Sequence, residues 1–202
     1  MKLYDSPASG NAYKIRFFLS LLELEHQLVP VNLRAGESRT QAFLSLNPRG
    51  QIPVLEDGEI IIWDSQAILV YLARRYGGDD WLPLDPVPMA EVMQWLAVSE
   101  NELLFGLARA RAVKLFGRSW NLSECQQYGK AGLDVMEAHL ANRQWLAAGR
   151  PTIADVACFP YVALAPEGEI ALDGYHNVLG WIGRVQDLPG YTGMEGVHGG
   201  PA

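Results

Sequence analysis

Residues 47–68 decide the reading of this chain: Asn-Pro-Arg-Gly-Gln-Ile-Pro-Val-Leu (47–55), a short turn, Ile-Ile-Ile-Trp (60–63), then Asp-Ser-Gln-Ala-Ile (64–68). Pro53 opens a β-branched strand, a second strand follows, and a helix begins at Asp64 and Ser65. Proline is poorly tolerated inside a sheet, so Pro53 is expected to start an edge or exposed strand. That would leave the Val54 backbone free to pair with an extended ligand by strand addition. Ser65 is a good N-cap, and the start of its helix suits a carboxylate. A peptide-like acid could then lie with its backbone on Val54, its carboxylate at Ser65 and its amino group at Asp64. That constellation points to a γ-glutamyl peptide site.

Working outward, the first 77 residues alternate in period. Lys2 to Tyr4 reads as a strand, Ala12 to Leu24 as a helix with Ile15, Phe18, Leu19 and Leu22 on one face, and Gln27 to Leu33 as a strand. Pro30 places that strand at an edge or bulge. A short helix over Gln41 to Leu46 precedes the two strands already described, and Ser65 to Tyr76 closes the unit with Gly77 as its stop. The order βαβαββα fits a thioredoxin-like layer over 1–77. Gly77 to Asp80 and prolines 83, 86 and 88 mark a linker over 78–88. From 89 to 202 the pattern is all-helical: Met89 to about Phe116, a helix opened by a Ser123–Gln126 capping box and running to Leu140, Ile153 to Ala163, and Val178 to Gln186. Five glycines between Gly190 and Ala202 predict a flexible tail over 190–202. The fold class is therefore α/β followed by a helical bundle.

Composition narrows the function. The chain has 202 residues, 49% of them hydrophobic and 19% charged, which is ordinary for a folded protein with a substantial core. Its net charge is −7, and all the excess acid lies beyond residue 77. Such a surface disfavours nucleic acid or an anionic membrane as a partner. The neutral first part is the better host for an anionic ligand. Cys125 and Cys158 form no CxxC, the histidines at 26, 139, 176 and 198 lack close-spaced partners, and no phosphate-binding Gly-rich loop is present. A metal is not expected. With no apolar run of spanning length and no signal-peptide core in Met1 to Asp5, the cytoplasm is the expected compartment.

Gln51-Ile52-Pro53-Val54 resembles the cis-proline loop of the glutathione transferases, and Asp64-Ser65 their γ-glutamyl-binding pair. Two further stretches carry the resemblance: Leu3-Tyr4-Asp5-Ser6-Pro7-Ala8-Ser9-Gly10-Asn11 near the start and Thr152-Ile153-Ala154-Asp155 late in the chain. In that order they cover nearly all of the sequence. The resemblance implies a cytoplasmic detoxification enzyme, a homodimer, that uses glutathione as co-substrate against a small electrophile. It also implies a cis Ile52–Pro53 bond and glutathione binding by Gln51, Ile52, Pro53, Val54, Asp64 and Ser65. Thr152 to Asp155 reads as a helix start with a folding role. The carboxylate of the glycyl end would meet Arg34, Arg39 or Arg49.

A free thiol has a pKa of about 8.5, so an enzyme using it at neutral pH needs a donor that holds the thiolate. Lowering that pKa by ~2 units takes roughly 2.7 kcal/mol, within reach of a charge-assisted hydrogen bond plus a helix dipole. The donor belongs between the first strand and Ala12, where Tyr4, Ser6, Ser9 and Asn11 stand. Ser9 and Asn11 flank Gly10 directly before the helix and rank first as catalytic residues. Tyr4 ranks behind them, because the Arg-Gly that usually follows in tyrosine-type members is absent. Ser99, Leu103, Phe105 and Arg109 are candidates for the electrophile wall. Arg109, Arg111, Lys114 and Arg118 read as a solvated face, and Trp95, Trp145 and Trp181 as core. Two other readings remain: a glutathione-dependent disulfide reductase or peroxidase, and a non-catalytic regulatory protein of the same fold.

Overall fold

The computed structural model describes residues 1–197. Its first layer runs β1 (Lys2–Asp5), α1 (Gly10–Leu21), β2 (Gln27–Pro30), α2 (Gln41–Leu46), β3 (Val54–Asp57), β4 (Ile60–Trp63) and α3 (Ser65–Leu72). The strands form one sheet in the order β2-β1-β3-β4. β1 pairs parallel with β2, Leu3 opposite Leu28, and antiparallel with β3, Leu3 opposite Leu55. β2 lies at an edge, as Pro30 requires. β3 does not: it lies between β1 and β4, with Val54 in register with both Tyr4 and Trp63. The edge-strand expectation for Pro53 therefore fails. Pro53 stands one residue before the ladder, where no partner needs its missing N–H, so an interior strand can follow it. The Ile52–Pro53 peptide is cis.

Beyond α3 a π-helical turn (Ala73–Gly77) and α4 (Gly78–Trp81) lead to α5 (Pro86–Val98), a π-helical stretch (Ser99–Ala108) and α6 (Arg109–Phe116), which follow one another without a break as the long helix expected, its middle wound as a π-helix. α7 (Leu122–Leu140), α8 (Ile153–Ala163) and α9 (His176–Gln186) complete the helical part. α7 is capped by Asn121, whose side chain accepts from the Glu124 N–H, rather than by Ser123. Gln126 is thereby released to donate to the Gly168 carbonyl at 2.9 Å. α7 crosses the π-helical stretch at Gly106 and Gly129, where a Cβ on Gly106 would fall 2.2 Å from the Gly129 nitrogen.

The layers are joined by aromatic packing of α1 on α8. Tyr13 stacks on Phe17 at 5.8 Å, Phe17 meets Phe159 at 5.7 Å, and Phe159 meets the fully buried Trp181 at 6.1 Å. Trp95 is buried and Trp145 packs partly against the same core. Part of the stretch expected to be flexible lies against this cluster. Tyr191 contacts Phe17 and Phe159, Ser20 donates to the Gly190 carbonyl at 2.7 Å, and Tyr13 donates to the Thr192 carbonyl at 2.6 Å. The remainder of that stretch, 198–202, and with it His198, lies outside the described residues.

The start of α8 is a capping box of Thr152 and Asp155. Asp155 also accepts from the Leu146 N–H at 3.1 Å and the Trp181 indole at 2.9 Å, tying α8 to α9 and to the loop before it. Burial pushes its carboxyl up to about 6, against those donors, which hold it down.

Candidate active site

Ser9, Asn11, Gln51, Ile52, Pro53, Asp64 and Ser65 line one cavity of ≈ 500 Å³, joined there by Arg39, Arg49, Glu100, Leu104 and Arg118. Val54 is absent from this wall. It is fully buried, its strand is paired on both sides, and its side chain packs with Val31 and Phe43 under Tyr4. Ile52 takes the place expected for Val54. It precedes the ladder and lines the cavity, and its backbone N–H and C=O make no hydrogen bond within the described residues. The neighbouring Gln51 carbonyl is already taken by the Asn47 amide at 2.7 Å.

The cap of α3 is Asp64, not Ser65. Asp64 has φ 80° and ψ 127°, and its Oδ1 accepts from the Gln66 and Ala67 N–H groups at 3.0 and 3.4 Å. Such a conformation costs an L-residue on the order of 1–3 kcal/mol, which the two cap bonds help offset. Oδ2 accepts from the Arg49 guanidinium at 3.2 Å. Ser65 becomes the first helical residue, and its N–H is one that Asp64 leaves uncapped. The helix therefore presents a backbone N–H, a hydroxyl and its positive dipole end to the cavity.

Across the cavity α1 begins in the same way. Ser9 caps it by accepting from the Ala12 N–H at 3.2 Å, which leaves the hydroxyl proton of Ser9 free to donate. The side-chain oxygen of Asn11 is buried without a partner in a wall of this cavity. An orphaned amide here fits a polar ligand atom, and its oxygen and nitrogen can exchange places to suit one. Gly10 lets the chain pass close to α8: a Cβ there would fall 2.6 Å from Tyr161 Cε1. Tyr4 is elsewhere. It packs edge-on to Phe43, and its hydroxyl donates to Glu56 at 3.1 Å. Burial, and then that bond, raise its pKa, the wrong direction for an activator. Ser6 lines the neighbouring cavity rather than this one.

A buried network behind the cavity escaped the sequence reading. Lys14 is wholly buried, donating to Ser99 Oγ at 3.1 Å and lying 3.5 Å from Glu100 Oε1. Gln66 donates to the same Glu100 oxygen at 2.8 Å. Burial lowers the Lys14 pKa, and Glu100 opposes that shift. The available signal was α1 itself: Tyr13, Ile15, Phe17 and Phe18 make the helix apolar on two faces, so a lysine among them has little surface to reach.

A second cavity of ≈ 890 Å³ adjoins the first, sharing Ser9, Leu33 and Arg118 with it. Its helical wall is Ala108, Arg111, Ala112 and Phe116; none of Ser99, Leu103, Phe105 and Arg109, the residues expected to wall an electrophile, lines either cavity. Ser99 and Leu103 are buried in the core. The π-helical stretch, with more residues per turn, carries the phase away from the α-helical count. The solvated-face expectation holds for Lys114 and Arg118, which are exposed, and fails for Arg111. Arg111 is buried, pairs with Glu167 and donates to the Ala8 carbonyl at 2.8 Å, while Arg109 lies 4.0 Å from the Phe105 ring and 4.9 Å from that of Trp120. Among the described residues there is no cluster of three metal-ligating side chains and no helix long and apolar enough to cross a membrane.

Comparison with known proteins agrees with this architecture. The model of the glutathione S-transferase N-terminal domain matches residues 1–74, and that of the C-terminal domain residues 108–184. Maleylacetoacetate isomerase of Pseudomonas aeruginosa is 34% identical over 198 residues, covering 93% of this chain and 90% of that protein. The crystal structure of a glutathione S-transferase from Pseudomonas fluorescens superposes with a TM-score of 0.89 at 35% identity, over 96% of this chain and 98% of that one. A glutathione transferase homologue from Drosophila mojavensis, crystallised with bound glutathione, superposes with a TM-score of 0.84 at 28% identity, over 93% and 88%. With both domains matched in order over most of its length, the chain belongs to the glutathione S-transferase family.

Proposed function

We propose that the protein binds glutathione between the starts of α1 and α3 and holds its thiolate for attack on a small electrophile. The observation that carries this reading is the convergence of two helix N-termini and the backbone of Ile52 on one cavity. In this reading the Ser65 N–H and hydroxyl receive the γ-glutamyl carboxylate, and Asp64 Oδ2 receives the amino group in exchange for Arg49. Ile52 pairs with the cysteinyl backbone, the role first expected of Val54. Gln51 and Pro53 shape the loop beside it. Arg39 and Arg49 are placed for the glycyl carboxylate; Arg34 lines only the second cavity.

Ser9 is the residue assigned to the sulfur. Its oxygen accepts from the Ala12 N–H, which leaves its own proton to donate to the sulfur, so capping and donation would reinforce each other. Asn11 offers a second donor, and the α1 dipole favours the anion. The disulfide reductase and peroxidase alternatives would use the same thiolate. Neither gains from the chain's own sulfur, since Cys125 and Cys158 are both buried and line neither cavity. A non-catalytic role leaves two open helix ends in one cavity without a purpose.

Titration of Asp64→Asn with glutathione by calorimetry tests the binding mode. A weaker dissociation constant by about tenfold is expected for a lost charge-assisted bond, and an unchanged constant would refute it. A panel of electrophile, disulfide and peroxide substrates separates the reactions. We further propose a detoxifying homodimer in the cytoplasm. Two free buried thiols suit a reducing compartment. Ile60, Ile61 and Trp63 on edge strand β4, with Val87 and Met93 on α5, leave apolar surface uncovered.

A further inference from the structure

The second cavity has a charge that the chain as a whole does not. The protein carries a net charge of −7, yet the charged side chains around this cavity are Asp5, Arg34, Arg111 and Arg118. Asp5 is neutralised by Arg16, and Arg111 by Glu167. Arg34 and Arg118 have no ion-pair or side-chain hydrogen-bond partner among the described residues. Two uncompensated guanidiniums therefore face a space that Ser9 also lines. Beside Ser6, Ser9 and Asn32 the rest of the wall is largely apolar, and Phe116, Trp120 and Tyr161 add aromatic rings to it.

An arginine is the side chain best matched to a planar oxyanion, and its fork can bind a carboxylate through two parallel bonds. Aromatic rings favour a planar, conjugated body. We propose that the electrophile taken by this protein is an anion: a carboxylate-bearing conjugated or aromatic molecule, its acid group on Arg118 and Arg34 and its reactive carbon turned towards Ser9. The inference rests on the transferase reading and names the substrate class for that same site. For a conjugated enone the step balances without a redox partner. The thiolate sulfur forms a C–S bond to the β-carbon, the C=C π pair moves through the carbonyl to an enolate, and solvent returns a proton to the α-carbon. Arg118 lines both cavities, so one side chain bridges the co-substrate and the acid.

The test uses the full-length protein with 4-phenyl-3-buten-2-one carrying a para-carboxylate, and with the methyl ester of that acid. Each enzymatic rate is divided by the uncatalysed rate with glutathione. The acid is expected to exceed the ester in kcat/KM by about tenfold or more, as charge-assisted bonds at a partly exposed site allow. Arg118→Gln and Arg34→Gln should each reduce that ratio several-fold. Calorimetry with the two preformed glutathione conjugates gives the same comparison without turnover. If acid and ester are equal in rate, or equal in conjugate affinity when neither turns over, the anion assignment is overturned while the transferase reading stands. If the acid conjugate binds better but neither enone reacts, the anion site stands and the catalytic reading falls. A ratio unmoved by both substitutions, with glutathione KM raised by Arg118→Gln, assigns Arg118 to the glycyl carboxylate and also overturns the proposal.

Discussion

Replacing Ser9 separates its observed role as a cap from its proposed role as a thiolate donor, because the two differ in sensitivity to the substituent. Ser9 sits at φ −85° and ψ 115° and accepts from the Ala12 N–H at 3.2 Å. Ser9→Ala loses that cap, at a cost of about 1 kcal/mol of stability, whereas Ser9→Gly loses only a few tenths. Both variants lose the hydroxyl donor to sulfur. If donation matters, the pKa of bound glutathione should rise by roughly 1–2 units in both, equivalent to about 1.4–2.7 kcal/mol. A thiolate with a pKa near 6.5 would then fall at pH 7 from about three-quarters ionised to between about a quarter and about 3% ionised, and turnover limited by the thiolate should drop roughly three- to 25-fold, recovering towards pH 9. The assay is ultraviolet thiolate absorbance against pH for each variant saturated with glutathione, beside urea unfolding of the same samples. Equal pKa shifts with unequal stabilities support donation. A shift in Ser9→Ala that shrinks with the stability loss in Ser9→Gly would reduce Ser9 to a cap, and a shift seen only in Tyr4→Phe would overturn the serine assignment.

Two predictions concern the scaffold. Asp155, with its carboxyl at about 6 in the fold against an ordinary 3.8, binds more protons folded than unfolded between those values. Stability should therefore fall as pH rises from about 4 to about 6, by on the order of 3 kcal/mol for this group, and Asp155→Asn should lack that slope while losing about 1–3 kcal/mol for the Thr152 N–H it no longer satisfies; parallel urea midpoints for both proteins across pH 4.5 to 7 would contradict this. The dimer proposal expects a mass near twice 22.3 kDa by sedimentation at micromolar concentration, falling to that of one chain when Ile61 and Met93 are both changed to Lys, and a concentration-independent single chain would refute it.

The parts of the fold legible in the sequence are those set by neighbours in the chain. The Thr152–Asp155 box was readable because a cap and its acid are three residues apart, and the two strands before α3 because β-branched runs alternate with turn residues. The parts that were not readable depend on what the chain meets in space. Val54 has no backbone left for a ligand because β1 and β4 flank β3, and no local pattern announces both neighbours. Arg111 left the surface because Ala8 and Glu167 approach it from sequence positions 103 residues before and 56 after. The residues expected to wall an electrophile miss both cavities because the helix changes its period between Ser99 and Ala108, which a count at 3.6 residues per turn cannot follow. Asp64 shows how the two kinds of information combine. Its neighbour Ser65 was readable as part of the site, but the φ of 80° that makes Asp64 the cap was not. That conformation turns Oδ1 to the helix and leaves the Ser65 N–H uncapped, so the strained residue and the open helix end at the cavity are consequences of the same backbone rotation. A cap at Ser65, as first expected, would have turned its own hydroxyl onto the helix N–H groups and away from the carboxylate proposed to lie there.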